Sequence, residues 1–136
     1  MANGEASEKF EKLVHALGGP SDILSSHEKH LKINAIKKDI FPTKSGWVEK
    51  IKTRDLGLIL IELGGGRKKS SDSIDHSLGL SQVLGLGTKV DAGQPLAIVH
   101  AQNEDQAKIA INMVNDAYTI LDDLPSKSQT IIEFLK

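Results

Sequence analysis

The sequence has no cysteine and few aromatic residues: one tryptophan, one tyrosine and three phenylalanines in 136 residues. Without thiols the chain has no disulfide, no thiolate metal ligand and no cysteine nucleophile. Because aromatic side chains are scarce and 39% of the residues are apolar, the core is expected to consist of Leu, Ile, Val and Ala. A chain of this length supports one core, or one domain with a docked helical segment.

An excess of charge of either sign is also lacking, since 17 basic and 18 acidic residues give a net charge of −1. No field is therefore expected that would concentrate nucleic acid or draw the chain to an anionic membrane. No apolar run approaches the roughly 20 residues of a bilayer span. The first residues, MANGEASEKFEK, lack the apolar core of a signal peptide. These absences predict a cytoplasmic protein with neither nucleic acid nor membrane as a partner.

Two helices are predicted in the first 32 residues. In the first, apolar residues recur at helical spacing, and Gly18-Gly19-Pro20 is a typical stop; they are Phe10, Leu13, Val14 and Leu17. Ser21 or Asp22 is placed to cap a second helix, SDILSSHEKHL. The apolar stripes of such a helical hairpin cannot cover each other fully. At least one face is therefore expected to pack on something else.

From residue 33 onward the pattern mixes strands and helices without a repeated βαβ rhythm, which predicts an α+β fold. Short strands are expected around residues 36–41 and 47–51. The segment TRDLGLILIELGGG is apolar nearly all round; its length and glycine stop favour a buried helix over a strand, with Thr53 as N-cap. Three further strands are predicted in SIDHSLGL, TKV and PLAIVHA, with DAGQ as the turn between the last two.

A further helix is predicted to open at Asn103, because Gln106 completes a capping-box pattern with it. One face of this helix carries the apolar residues Ala107, Ala110, Val114, Ala117 and Leu121. LPSK is predicted to end the helix, and QTIIEFL is predicted to form a final strand.

The segment LGGGRKKSSDSIDHSLGL invites comparison with phosphate-binding loops. Such loops follow a strand and precede a helix, so that backbone amides and the positive helix end meet the anion. Here the glycines follow a helix, whose carboxyl end is negative. Two interpretations stay open. Gly64 is a helix C-cap followed by a mobile, exposed loop, or the loop meets an anion that is supplied elsewhere.

Other chemistry-bearing residues give weaker signals. Asp75 and His76 are adjacent on a predicted strand, so their side chains are expected to point to opposite faces. His27 and His30 form an incomplete metal pair, and no metal site is predicted. The pattern V-x-x-G-x-P-L in VDAGQPL occurs in hairpins of biotinyl and lipoyl carrier domains. The modifiable lysine of those domains is missing from this turn.

Several blocks, in the same order, are similar to the C-terminal third of bacterial thymidine phosphorylases and related pyrimidine-nucleoside phosphorylases. They include NGEASEKFEKLVHALGGPSD, the helix entry TRxLG, LGGGR with SDxID directly after it, and PLAxxHA. Each block alone is weak evidence, but their colinearity over nearly the whole chain is specific.

The resemblance implies a longer, dimeric enzyme that cleaves thymidine with inorganic phosphate, giving thymine and 2-deoxyribose 1-phosphate without a redox cofactor. It implies that residues 1–32 belong to the larger α/β domain of that enzyme and that residues 33–136 form its C-terminal domain, of α/β-hammerhead or barrel-sandwich-like type. Phosphate- and base-binding motifs of the family are absent. The chain is therefore expected to need the N-terminal portion of the enzyme and to be inactive alone.

For this chain the resemblance implies no catalytic residue, only a cleft-closing loop whose candidate residues are Gly64, Gly65, Gly66, Arg67, Lys68 and Lys69. Residues 65–71 are expected to be poorly ordered in isolation, as suits a moving lid. Alternatives are a pyrimidine-nucleoside phosphorylase of broader specificity, a biotinyl or lipoyl carrier domain, and an interaction module that docks through the helical hairpin.

Overall fold

The computed structural model describes residues 4–31 and 35–126, and the chain divides into two units, residues 1–34 and 35–136. The first unit contains α1 (Glu5–Ala16) and α2 (Ile23–His30). The second contains, in chain order, β1 (Ile36–Ile40), β2 (Gly46–Ile51), α3 (Thr53–Leu63), β3 (Gly79–Ser81), β4 (Lys89–Val90), β5 (Ala97–Ala101), α4 (Glu104–Ala117) and β6 (Tyr118–Leu121).

The predicted stop of α1 is confirmed. Gly18 has a φ of 89°, and its amide donates to the His15 carbonyl at 3.0 Å while the Gly19 amide donates to the Val14 carbonyl at 2.9 Å. This glycine-dependent motif satisfies carbonyls that the helix end would leave unpaired. Asp22 occupies the N-cap position of α2, but its side chain makes no cap hydrogen bond. Neither helix contains a buried residue.

The second unit has two three-stranded antiparallel sheets, in the orders β1-β5-β3 and β4-β2-β6. With α3 and α4 they give the predicted α+β fold. In β5, the alternate residues Ala97, Val99 and Ala101 are fully buried, whereas the residues between them are partly exposed. One face of the first sheet therefore lies against the core.

Helix α4 begins as predicted. The Asn103 Oδ1 atom accepts the Gln106 amide at 2.9 Å, and the Gln106 Oε1 atom accepts the Gln102 amide at 3.1 Å. Its buried stripe consists of Ala107, Ala110, Val114 and Ala117. These residues are small, so neighbouring elements can approach the helix backbone closely.

The predicted end of α4 was wrong. The helix stops at Ala117, and Tyr118–Leu121 continues directly as strand β6 beside β2, so Leu121 is a strand residue with 38% exposure. Pairing with β2, together with the 2.8 Å hydrogen bond from the Tyr118 hydroxyl to the Leu84 carbonyl, outweighs the local helical pattern. The predicted strand QTIIEFL lies outside the described residues.

Helix α3 is confirmed, but its complete burial is not. Only Ile59 and Leu63 are buried, and Leu58 is 45% exposed. The N-cap position is taken by Lys52 rather than Thr53, and no side chain caps this end.

Two of the strand predictions also need correction. Of SIDHSLGL only the glycine-leucine end joins a sheet, as the start of β3, because residues before it fold into turns. The DAGQ turn joins β4 of one sheet to β5 of the other, so it does not close a hairpin. Among the described residues no helix is long and apolar enough to cross a membrane.

The core is aliphatic, as the composition predicted, apart from one tyrosine. Its largest fully buried side chains are Ile40, Ile59, Leu96, Val48, Val90, Val99 and Val114. They come from both sheets and from helices α3 and α4. The described part of the second unit therefore has a single core.

Replacing Asn103 with alanine removes the side-chain acceptor for the Gln106 amide. The free energy of unfolding is expected to fall by about 1 kcal/mol. Chemical denaturation measures this change, and Asn103→Ser, which keeps a capping oxygen, is the control. Equal losses in both variants would contradict the assigned cap.

Candidate functional site

The glycine-rich loop, residues 64–78, joins α3 to β3 and contains every site residue predicted from the sequence. Gly64 has a φ of 95° and caps α3, as predicted. Its amide donates to the Ile61 carbonyl at 3.1 Å, and the Gly65 amide donates to the Leu60 carbonyl at 2.9 Å. The loop therefore leaves the helix through the same glycine motif that ends α1.

The other two glycines are required by close packing. A Cβ atom on Gly65 would lie 2.7 Å from the Leu78 carbonyl oxygen, and one on Gly66 would lie 2.9 Å from Ile61 Cγ1. The Asp75 amide also donates to the Gly64 carbonyl at 3.1 Å. The two ends of the loop thus meet at a base of crossing backbones, in the manner of an Ω-loop.

Asp72 organises the exposed part of the loop. Its Oδ2 atom accepts the Lys68 amide at 3.0 Å and the Lys69 amide at 2.8 Å. The Lys68 ammonium pairs with Glu62 Oε2 at 2.7 Å. A carboxylate of the chain itself therefore occupies the backbone donors that a phosphate-binding loop would offer to its anion.

The hydroxyl and amide of Ser77 bind Asp75. The Asp75 Oδ1 atom accepts the Ser77 hydroxyl at 2.6 Å and the Ser77 amide at 2.9 Å. Hydrogen bonds from Ser77 hold the pKa of this exposed carboxyl below its usual value, with a smaller contribution from His76. Asp75 and His76 lie in a turn and not in the predicted strand. The Asp75 carboxylate is a turn-forming group here, and Ser77 rather than His76 is its hydrogen-bonding partner.

Two cations at the tip of the loop remain available. Arg67 and Lys69 are exposed, and the rest of the described chain offers their side chains no hydrogen-bonding or ionic partner. Asp72 occupies the Lys68 and Lys69 amides, so these two side chains are the charged groups that the tip of the loop presents to an anion. This arrangement fits the second interpretation above, in which the anion is supplied elsewhere.

The remaining histidine candidates do not form a metal site. His30 Nε2 lies 2.8 Å from Asp22 Oδ1, and His27 Nδ1 lies 3.4 Å from the Leu24 carbonyl. The pKa of Asp22 is lowered first by a hydrogen bond from Ser26 and then by His30. Within residues 4–31 and 35–126 no three carboxylate or imidazole side chains are grouped to hold an ion.

The structure brings together one pair that sequence reasoning missed. Ser81 Oγ on β3 lies 2.7 Å from His100 Nε2 on β5, on the partly exposed face of the first sheet. Lys37 lies opposite His100 on β1. Desolvation, followed by the Lys37 charge, lowers the pKa of His100. Strand alternation places both residues on an outer face, but their pairing register is not visible in the sequence.

This serine–histidine pair lacks the parts of a hydrolytic site. A nucleophilic serine needs its histidine oriented by a third group, usually a carboxylate. The hydrogen bonds of the described chain include none to the second ring nitrogen of His100, and its charged neighbour is the cation Lys37. The pair instead links β3, and with it the end of the glycine-rich loop, to the centre of the first sheet.

Residues 47–121, more than half of the chain, match the sequence family described as "Pyrimidine nucleoside phosphorylase C-terminal domain". The chain belongs to this family. It is also 38% identical over 133 residues to the thymidine phosphorylase of Agrobacterium fabrum (strain C58). That match covers 98% of the chain and 30% of the relative, so the chain spans less than a third of that protein.

Gly65→Ala is expected to destabilise the protein by about 1–3 kcal/mol, because the new methyl group meets the Leu78 carbonyl and neither backbone can move cheaply. Gly57→Ala is the matched control. Gly57 lies inside α3 with open space around it, so alanine there is expected to stabilise by about 0.5–1 kcal/mol. Chemical denaturation measures both, and an unchanged Gly65→Ala protein would refute the tight crossing.

The lowered pKa of His100 predicts a loss of stability in mild acid. The unfolded chain takes up a proton near the ordinary histidine pKa of 6.5, before the folded chain does. The contribution of His100 is thus fully present above pH 6.5 and is lost as the pH falls towards the folded pKa. Unfolding free energies measured from pH 7.5 to 5.5 should decline more steeply for the wild type than for His100→Gln. An equal decline of the unfolding free energy with pH in both proteins would contradict the lowered pKa of His100.

Proposed function

We propose that this chain is the C-terminal domain of a thymidine phosphorylase. The observation that carries the proposal is the 38% identity to such an enzyme across 98% of the chain, together with membership of the pyrimidine nucleoside phosphorylase C-terminal family. The proposed reaction is the reversible phosphorolysis of thymidine. A phosphate oxygen bonds to the sugar C1 atom, the bond from C1 to the base nitrogen breaks, and thymine leaves with a proton.

In this proposal the chain supplies a scaffold and a loop, while the catalytic groups lie elsewhere in the enzyme. Such a reaction needs groups that hold phosphate and stabilise the leaving base. The described residues contain no cluster with these roles. The Ser81 and His100 side chains, for example, hydrogen-bond each other and are not part of such a cluster.

The glycine-rich loop is proposed to close over the substrates. Its base is held by Gly65 against Leu78, while Arg67 and Lys69 project from its tip without partners among the described residues. A loop with a fixed base and a charged tip is suited to closing as a unit over anionic ligands. Closure would exclude water from a sugar that carries positive charge in the transition state.

The further properties of the enzyme follow from the same proposal. Inorganic phosphate is its co-substrate, and no cofactor takes part. Its partners are the N-terminal portion of the polypeptide and a second copy of the whole enzyme, in a cytoplasmic homodimer. The Gly-rich loop residues 64–69 are its contribution to the substrate cleft.

A pyrimidine-nucleoside phosphorylase of broader specificity is the second candidate, because the matched family is described by pyrimidine nucleosides in general. Relative rates with thymidine and uridine distinguish the two. A strong preference for thymidine supports the first proposal, whereas comparable rates support the second.

The test uses a chimera in which this chain replaces the matching segment of the Agrobacterium fabrum enzyme. The chimera is expected to phosphorolyse thymidine in the presence of phosphate, and the isolated chain is not. Release of thymine, followed by its change in absorbance, measures both. Activity in the isolated chain would overturn the assignment of the catalytic groups to other parts of the enzyme.

Arg67→Ala in this chimera is expected to lower kcat/KM by up to about tenfold, the equivalent of one charge-assisted contact or roughly 1.4 kcal/mol. Arg54→Ala is the control, because it removes the same charge from an exposed position in the first turn of α3. Steady-state kinetics with varied phosphate measure the effect. Identical kinetics for the two variants would remove the support for a lid.

A further inference from the structure

The second unit has a small, mostly apolar cavity between α3 and α4, with a volume of about 70 Å³. Two of the residues that line it are polar, Glu62 and Gln106, and the others are apolar: Ile59 and Leu63 of α3, and Ile109, Ala110 and Met113 of α4. Ile59 and Ala110 are buried, whereas Ile109 is 59% exposed. The cavity therefore reaches from the core to the solvent.

The size and the walls of this cavity suit a short alkyl group. An apolar cavity of roughly 150 Å³ stays free of water and binds benzene. A cavity of about half that volume has room for a chain of a few carbon atoms, and apolar walls favour such a chain over water. The polar end of a ligand bound in this way would lie at Glu62 or Gln106.

The charge at the cavity is that of Glu62, the charged residue among those that line it. Gln106 Oε1 already accepts the Gln102 amide, so the Glu62 carboxylate is the acceptor that remains for a ligand. The chain itself shows which group this carboxylate binds, because the Lys68 ammonium contacts Glu62 Oε2 at 2.7 Å. Within the described residues Glu62 Oε1 has no such partner. The complementary ligand end is therefore an ammonium group.

We propose that the cavity between α3 and α4 is a binding site for a primary alkylammonium ion, whose alkyl group packs against Ile59 and Ile109 and whose ammonium binds Glu62. This site is independent of the proposed function. A short alkyl chain and one exposed ion pair each contribute little free energy, so the expected dissociation constant is in the millimolar range.

The site is connected to the glycine-rich loop through Glu62. The Glu62 and Lys68 side chains are 53% and 56% exposed, and an ion pair with such exposure is weak. A bound ammonium ion therefore competes with Lys68 for the same carboxylate at little cost. Occupancy of the cavity loosens the contact that holds the Lys68 side chain to α3.

The first test titrates butylamine into the 136-residue chain at pH 7, where the amine is protonated, and follows the backbone amides by NMR. Sodium chloride keeps the ionic strength constant, and butanol is the uncharged ligand for comparison. Chemical-shift changes are expected in α3 and α4, with a dissociation constant at least about fivefold lower for butylamine than for butanol. Equal constants, or changes confined to other elements, would overturn the proposal.

Glu62→Gln separates the carboxylate from the apolar walls. It is expected to weaken butylamine binding at least about fivefold and to leave butanol binding unchanged. Glu49→Gln is the control, because it removes the same charge from an exposed position on β2. If both variants bound butylamine equally well, Glu62 would not be the ammonium partner and the proposed site would be wrong.

Lys68→Met tests the competition. It is expected to tighten butylamine binding about twofold or more, since Glu62 no longer has a ligand within the chain. Lys69→Met removes the same charge from the next residue of the loop, whose described contact is through its amide to Asp72, and is expected to have a smaller effect. Equal effects would show that Lys68 does not compete for Glu62, against the proposed connection to the loop.

Ile109→Ser tests the apolar wall, with Leu58→Ser as the control. Leu58 is 45% exposed on α3 and does not line the cavity. Ile109→Ser is expected to weaken the binding of both butylamine and butanol at least about threefold, and Leu58→Ser is expected to change neither. Denaturation curves confirm that each variant is folded. Unchanged binding in folded Ile109→Ser protein would exclude the cavity as the site of the alkyl group.

Discussion

The close approach of Gly65 to the Leu78 backbone is the contact on which the candidate site depends. A methyl group at Gly65 would lie 2.7 Å from the Leu78 carbonyl oxygen, so the crossing exists only with glycine at this position. Together with the left-handed Gly64 it ends α3 and returns the chain towards β3 within 15 residues. The loop is therefore fixed at its base, and its charged residues are confined to one exposed tip.

Strand β3 connects the base of the glycine-rich loop to the core. Strand β3 is only three residues long and is held by β5, whose inward residues are fully buried, and by the Ser81–His100 hydrogen bond on the other face. The end of the glycine-rich loop is thereby tied to the best-packed strand of the first sheet. A rigid support beneath an exposed loop is the usual arrangement for a segment that contacts a ligand. At the tip, Asp72 binds the Lys68 and Lys69 amides, while the exposed side chains of Arg67 and Lys69 have no partner among the described residues.

Features set by neighbouring residues were predictable. The glycine stops at Gly18 and Gly64 and the cap at Asn103 depend on interactions within five residues, and each is present in the structure. Predictions failed where distant segments compete. Leu121 continues the helical pattern of α4, yet β2 pairs with it as a strand. Asp75 and His76 lie in a segment whose sequence pattern is that of a strand, yet the Ser77 hydroxyl donates to the Asp75 carboxylate and the chain forms a turn there.

The sequence by itself determined the fold class, the helix ends, the family resemblance and the stretch that contains the candidate loop, because these follow from local patterns of glycine, caps and apolar spacing. Only the tertiary structure decided three other features. The backbone at the three adjacent glycines packs closely against Leu78, Asp72 accepts a hydrogen bond from the Lys69 amide, and Ser81 contacts His100, 19 residues away in the sequence. Each depends on which segments lie side by side. Strand register and backbone crossing arise from the packing of the whole core, which no short stretch of sequence specifies.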